Sequence, residues 1–278
     1  MKKLIALLLA LVMVIGLVAC GETTPETPDV PETTNGVDEP AISTPDETEE
    51  ATEEATDATV AVMSYEEFVA APLDTQVTVE TYIQAVESWW DGCVQLYTQN
   101  EEGAYYIYDL ACTEEDAAQL VPGTKVRVTG FKAEWAGEVE IIDATYEILE
   151  CEWTVEEAAN VTELAQQGSE ALDEKMNQLV QIDGMTVVAS TDGEGNEVPY
   201  LYKWDGSGSQ GDDLYFNVQI GEQTYTFTVN AYMIGTGADS DVYKAVEALQ
   251  IGDTVTIGGF LYFYDGAQTH VTHLFAAE

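Results

Sequence analysis

Two stretches of this chain align without a gap at a spacing of 129 positions. Leu120-Val121-Pro122-Gly123-Thr124-Lys125-Val126-Arg127-Val128-Thr129-Gly130-Phe131 matches Leu249-Gln250-Ile251-Gly252-Asp253-Thr254-Val255-Thr256-Ile257-Gly258-Gly259-Phe260, and Trp135-Ala136-Gly137 then meets Tyr264-Asp265-Gly266. Val126/Val128 and Val255/Ile257 alternate as the inward face of a strand. Gly123 and Gly252 suit a tight turn into that strand, and Gly130 and Gly259 suit a bend in a closed sheet. A second match pairs Val77, Val79 and Glu80 with Val180, Ile182 and Asp183 at a spacing of 103, so copy two carries 26 more residues between its first strand and its helix. Much of that excess lies in a Gly/Ser/Asp-rich loop over 190–211.

The pattern predicts the same order of elements twice. In copy one a helix starts at Ser64 with a capping box to Glu67, strands follow near 77–86, 93–99 and 104–110, a helix spans 113–120, and strands span 125–131 and 138–148. In copy two helical segments near 154–178 precede strands near 179–189, 213–220 and 225–230, a helix near 241–250, and strands near 253–264 and 267–275. The expected fold class is mainly β: two OB-like five-stranded β-barrel domains, each with a short helix between strands three and four. The motif Leu-x-x-Gly-x-x-Val-x-Val/Ile-x-Gly and this order resemble the tandem OB-fold-like domains of lipoproteins of Gram-positive bacteria, related to domains attached to some secreted nucleases. The resemblance covers 65–150 well and 160–278 loosely.

The N-terminus agrees with such a placement. Lys2 and Lys3 precede an apolar run, Leu4 to Leu17, too short for a span of about 20 residues. It ends in Leu17-Val18-Ala19-Cys20-Gly21, which resembles a bacterial lipoprotein signal. The resemblance implies cleavage before Cys20 and acylation of its thiol, hence a protein held by an N-terminal lipid on the extracytoplasmic face of the cell membrane. Residues 1–20 are then signal, 21–61 a tether, 62–152 the first OB-like domain and 153–278 the second. The tether holds 13 acids, 10 Thr and 5 Pro with no Lys, Arg or aromatic residue. Such a segment has too little apolar surface to offset its ordering entropy, and fully extended it reaches about 135 Å at about 3.3 Å per residue.

Charge limits the partners. The chain carries 52 acidic and 8 basic residues, a formal net charge of -44, yet is 46% hydrophobic. Residues 62–278 alone hold 39 acids and 6 bases. Polyanions are bound by Lys and Arg that displace counterions, so nucleic acid is an unlikely partner. OB-folds bind on the face of strands two and three, between the loop joining strands one and two and the loop joining strands four and five. In copy one those loops hold Trp89, Trp90 and Trp135, and alternation turns Tyr97 and Tyr106 outward between them. This aromatic platform is the ligand-binding candidate, with a glycan or a peptide as its ligand. An alternative use of the same rings is packing over the barrel ends, and an envelope-protein contact is the second functional reading. Copy two offers Trp204, Tyr262 and Tyr264 instead.

Other chemistry is thin. Oxygen donors at Asp205, Asp212 and Asp213 invite a calcium reading, without the twelve-residue EF-hand pattern, and no other cofactor or metal is implied. His270 and His273 fall on opposite faces of a strand and read as surface residues. Cys93 and Cys112 flank an apparent hairpin, which leaves a disulfide open, and Cys151 is a third thiol. No G-x-S-x-G, H-E-x-x-H or Walker motif occurs, so the expected role is non-catalytic binding. A Cys20→Ala protein is expected to lose incorporation of radiolabelled fatty acid; label that persists refutes the lipid anchor.

Overall fold

Hydrophobic alternation along the first copy closes into a barrel. The computed structural model describes residues 61–152 and 154–276, so the signal and all but the last residue of the tether lie outside the described residues. The first barrel consists of β1 (Gln76–Val86), β2 (Cys93–Gln99), β3 (Ala104–Ala111), β4 (Lys125–Trp135) and β5 (Glu138–Leu149), closed in the order β1-β2-β3-β5-β4. All neighbours are antiparallel except β3 and β5, where Tyr106 pairs with Glu140. A parallel neighbour needs a crossover. The chain makes it through β4 and, before it, the single helical turn α2 (Glu114–Ala117), capped by Thr113, whose hydroxyl accepts from Asp116 N. Val79, Ile83, Leu96, Ile107, Val126, Val128 and Ile141 fill the interior.

The second copy repeats the design. Its strands are β6 (Leu179–Val188), β7 (Leu214–Ile220), β8 (Gln223–Val229), β9 (Thr254–Phe260) and β10 (His270–Ala276). They also close into five strands: β6 pairs with both β7 and β9, and β8 pairs in parallel with β10 at Thr228 and His270. Helix α4 (Asp241–Glu247), capped by Ser240, sits between strands three and four. Both copies are thus OB-like barrels. The predicted capping box is present at α1 (Tyr65–Ala70). The helical stretch expected near 154–178 is shorter: α3 (Thr162–Gln167) and a 3-10 turn (Ser169–Lys175), separated by Gly168 at φ 118°.

The repeated glycines have repeated jobs. Gly123 and Gly252 lie at φ 90° and 97°, and their amides donate to Ile83 O and Val187 O, tying each helix exit to the first strand of its barrel. Strands β4 and β9 each slip register at a glycine, at Gly130 and at Gly258/Gly259. A Cβ on Gly130 would stand 2.7 Å from Ile141 Cγ2 and from Ile142 O, and one on Gly259 would stand 2.8 Å from Val271 Cα. The bend at each site therefore brings neighbouring strands closer than any side chain allows. Lys132, buried on β4, donates from Nζ to the carbonyls of Phe68, Val69 and Ala71 and so pins the end of α1 to the barrel wall.

The two barrels pack through the outer face of β2 and β3. Tyr97 and Tyr106 point out of barrel one, as alternation predicts, and are buried against Met233 and Phe260 of barrel two. Tyr97 stacks on Phe260 with centroids 4.5 Å apart, Tyr106 meets the edge of Tyr262, and Tyr262 stacks on His270. Each such pair adds about 0.5–1.5 kcal/mol beyond the area it buries. Gly130→Ala is expected to destabilise the protein by about 1–3 kcal/mol through overpacking, read as a lower urea midpoint; an unchanged midpoint means the bend tolerates a Cβ.

Candidate ligand groove on the second barrel

The predicted platform divides. Tyr97 and Tyr106 lie under the second barrel, while Trp90 and Trp135 are exposed. Trp89 is partly covered and its Nε1 donates to Cys112 O at 3.0 Å. These five residues therefore do not share one open face. The reason is the neighbouring barrel, which places Phe260 and Tyr262 on the strip between the two loops.

The corresponding face of barrel two is open. It carries a groove of about 510 Å3. Its floor is β7 and β8, where alternation turns Tyr215, Asn217, Thr224 and Thr226 outward while Leu214, Phe216 and Val218 fill the core. One wall is the long β6–β7 loop, with Ser190, Thr191 and Trp204; the other is the β9–β10 loop, with Tyr264 and Gln268. Thr226 Oγ1 donates to Asn217 Oδ1 at 2.7 Å, and Asn217 Nδ2 donates to Ala189 O at 3.3 Å, which fixes the amide at mid-groove. Ser169 Oγ accepts from Ala267 N and anchors the β9–β10 loop. Asp265 is the one charged side chain lining the groove among the described residues. Trp204 and Tyr264, at opposite rims, are both exposed.

Trp204 and Tyr264 were visible in the sequence as the aromatics of copy two. Tyr215, Asn217 and Thr226 were not singled out, although alternation along Leu214–Ile220 already turns the first two away from the core. Tyr262, grouped with them, belongs to the barrel seam. Of the acids of the calcium reading, Asp205 accepts from Ser207 N, Asp212 from Ser209 N and Asp213 from Ala231 N. Among the described residues no three His, Cys, Asp or Glu converge as a metal-holding group. Cys93, Cys112 and Cys151 are free thiols.

His270 departs from the surface placement expected of it. It is buried in the seam, where Nδ1 and the Tyr97 hydroxyl share a 2.8 Å hydrogen bond, because the β10 face that carries it is the one turned to barrel one. Burial holds its pKa down to about 4, so the ring is neutral. Two carboxyls border the same seam. Glu138 is fully buried; its Oε2 accepts from Phe263 N at 2.8 Å, and Oε1 has no hydrogen-bond partner among the described residues. Burial raises its pKa to about 8. Glu87 accepts from Asn230 Nδ2 at 2.7 Å, and burial, with Asp213 nearby, raises it to about 7.

Closed five-stranded barrels with a helix between strands three and four define the class: a tandem OB-like protein. No protein-family model and no curated protein matches the chain. Solved structures similar to it include the hypothetical protein ygiW from E. coli, at 21% identity over 33% of this chain and 92% of that one, TM-score 0.26. A murine DNA binding protein bound with ds DNA is similar at 8% identity over 72% of this chain and 96% of that one, TM-score 0.33. The Ifi202 HINa domain in complex with 20bp dsDNA is similar at 10% identity over 74% and 96%, TM-score 0.31.

The seam carboxyls set a pH dependence. Glu138 and Glu87 hold their protons more tightly folded than unfolded, so rising pH costs stability from the ordinary carboxylate range up to about 8. His270 acts oppositely, but only between about 4 and the ordinary histidine value of about 6.5. The urea midpoint is therefore expected to fall from pH 6.5 to 8.5, and Glu138→Gln is expected to flatten that fall; an equal slope in both proteins refutes the assignment.

Proposed function

We propose that the protein is a lipid-anchored, extracytoplasmic lipoprotein whose two OB-like barrels form a non-catalytic binding module, and that its ligand is a neutral glycan held in the groove of the second barrel. One observation carries this reading. In a folded part with 39 acids and 6 bases, the groove is lined by amide, hydroxyl and aromatic groups with a single acid. Aromatic rings stack on the apolar faces of sugar rings, and Asn, Gln, Ser and Thr supply directional donors and acceptors to their hydroxyls. A volume of about 510 Å3 accommodates a short oligosaccharide. The lipid anchor rests on the Lys2-to-Cys20 pattern and the acidic tether behind it.

Nucleic acid remains the disfavoured alternative. The similar structures bound to dsDNA set it as a reading by fold analogy, which is weak ground for function. Against it, Lys125 and Arg127 are both paired with Glu80, and Lys132 is buried. That removes half of the six bases from any phosphate contact.

A neutral-glycan array tests the proposal. Hits are expected to weaken by about tenfold in Trp204→Ala, the loss of one stacked ring, and to survive Trp90→Ala. An array with no Trp204-dependent hit overturns the glycan assignment. Single-stranded DNA at low salt is expected to show no saturable binding, and salt-sensitive binding would restore the nucleic-acid reading.

A further inference from the structure

Beside the seam, the β1–β2 loop of barrel one runs antiparallel to the loop between β8 and α4 of barrel two. Ser88 N donates to Tyr232 O at 2.7 Å, Ile234 N donates to Val86 O at 2.9 Å, and Glu87 bridges Met233 between them. Side chains alternate across such a pair. Met233 turns in and is buried against Tyr97, Tyr106 and Phe260. Tyr232 and Ile234 turn out and are 59% and 68% exposed. Two residues beyond Ser88, on the same side of the chain, Trp90 is 79% exposed on a hairpin whose Asp91 and Gly92 both have positive φ. Three large exposed apolar side chains, from both barrels, thus line one edge of the seam.

We propose that this composite patch of Trp90, Tyr232 and Ile234 is a docking surface for a cationic protein segment that carries apolar anchor residues. Three features select that partner. The patch continues an established interface, so it is held rigid by the seam beneath it. Its composition is that of an interface hot spot, rich in Trp and Tyr. Its rim is acidic: Asp91 follows Trp90, Asp109 accepts from Cys93 Sγ and Gln95 Nε2 beside that hairpin, and Asp213 accepts from Ala231 N next to Tyr232. A second copy of this chain brings the same negative charge, and an anionic membrane does too, so both are repelled. A Lys- or Arg-bearing segment satisfies the rim while its apolar residues cover the rings. This site is separate from the glycan groove and does not depend on it.

The full-length protein is titrated with a fluorescein-labelled peptide of alternating Lys and Leu, with a Lys/Ser peptide of equal charge, and with phosphatidylcholine vesicles, all followed by anisotropy or co-sedimentation. Saturable binding of the Lys/Leu peptide is expected. It should weaken by about tenfold or more in Trp90→Ala/Ile234→Ala, as for loss of a hot spot, and be similarly weak for the Lys/Ser peptide. Trp204→Ala should leave it unchanged, which separates it from the groove. Both altered side chains are exposed, and an unchanged urea midpoint certifies the fold. No peptide binding overturns the proposal. So does equal binding of both peptides, or of wild type and double variant, since charge alone then suffices. Vesicle uptake without peptide preference assigns the patch to lipid instead.

Discussion

The stacking of Tyr97 on Phe260 holds together more than two rings. It closes the outer face of β2 and β3 in the first barrel, a face that carries Tyr106 as well and is too apolar to leave in water. Net hydrogen bonding contributes only about 1 kcal/mol per neutral bond, so apolar burial drives the docking. The polar groups around it, Gln99 to Leu179 N and Glu138 to Phe263 N, fix the register of one barrel on the other. Remove the seam, and the two loops that build the composite patch part company.

Acidity and cohesion are reconciled by position. Nearly all of the carboxylates of the folded part face solvent, where water and salt screen them. The carboxyl of Glu138, which does enter the seam, is kept neutral by burial. Burial likewise keeps the His270 imidazole neutral. A charge left in this seam without a partner would cost far more than the hydrogen bond it accepts is worth. The groove on the other side of barrel two follows the same economy of charge, with hydroxyls and amides in place of carboxylates.

The architecture was largely legible because it rests on local signals repeated twice. Val126/Val128 against Val255/Ile257 gave the strand faces, and Ser64 with Glu67 gave a helix start that the hydrogen bonds reproduce. The inward or outward sense of Tyr97 and Tyr106 was also readable. What covers them was not, since alternation tells which way a side chain points and says nothing of what meets it. Phe260 lies far along the chain, and His273, three positions from the buried His270, is exposed on the same strand. The open groove was partly legible in Trp204 and Tyr264. Its floor needed the strand faces of copy two to be laid beside the loop that walls them.

The extra 26 residues of the second copy have a consequence for how duplicated barrels diverge. In the first copy the segment after strand one is a six-residue hairpin approach, low enough for a neighbouring barrel to seat on the strands behind it. In the second copy the same segment grows into a wall that pairs Leu201–Tyr202 with β7 and lifts Trp204 over the floor. A short loop makes the barrel a socket for its twin; a long loop makes it a container. Lengthening the loop at this equivalent position thus leaves one barrel face as a joint and walls a groove on the other.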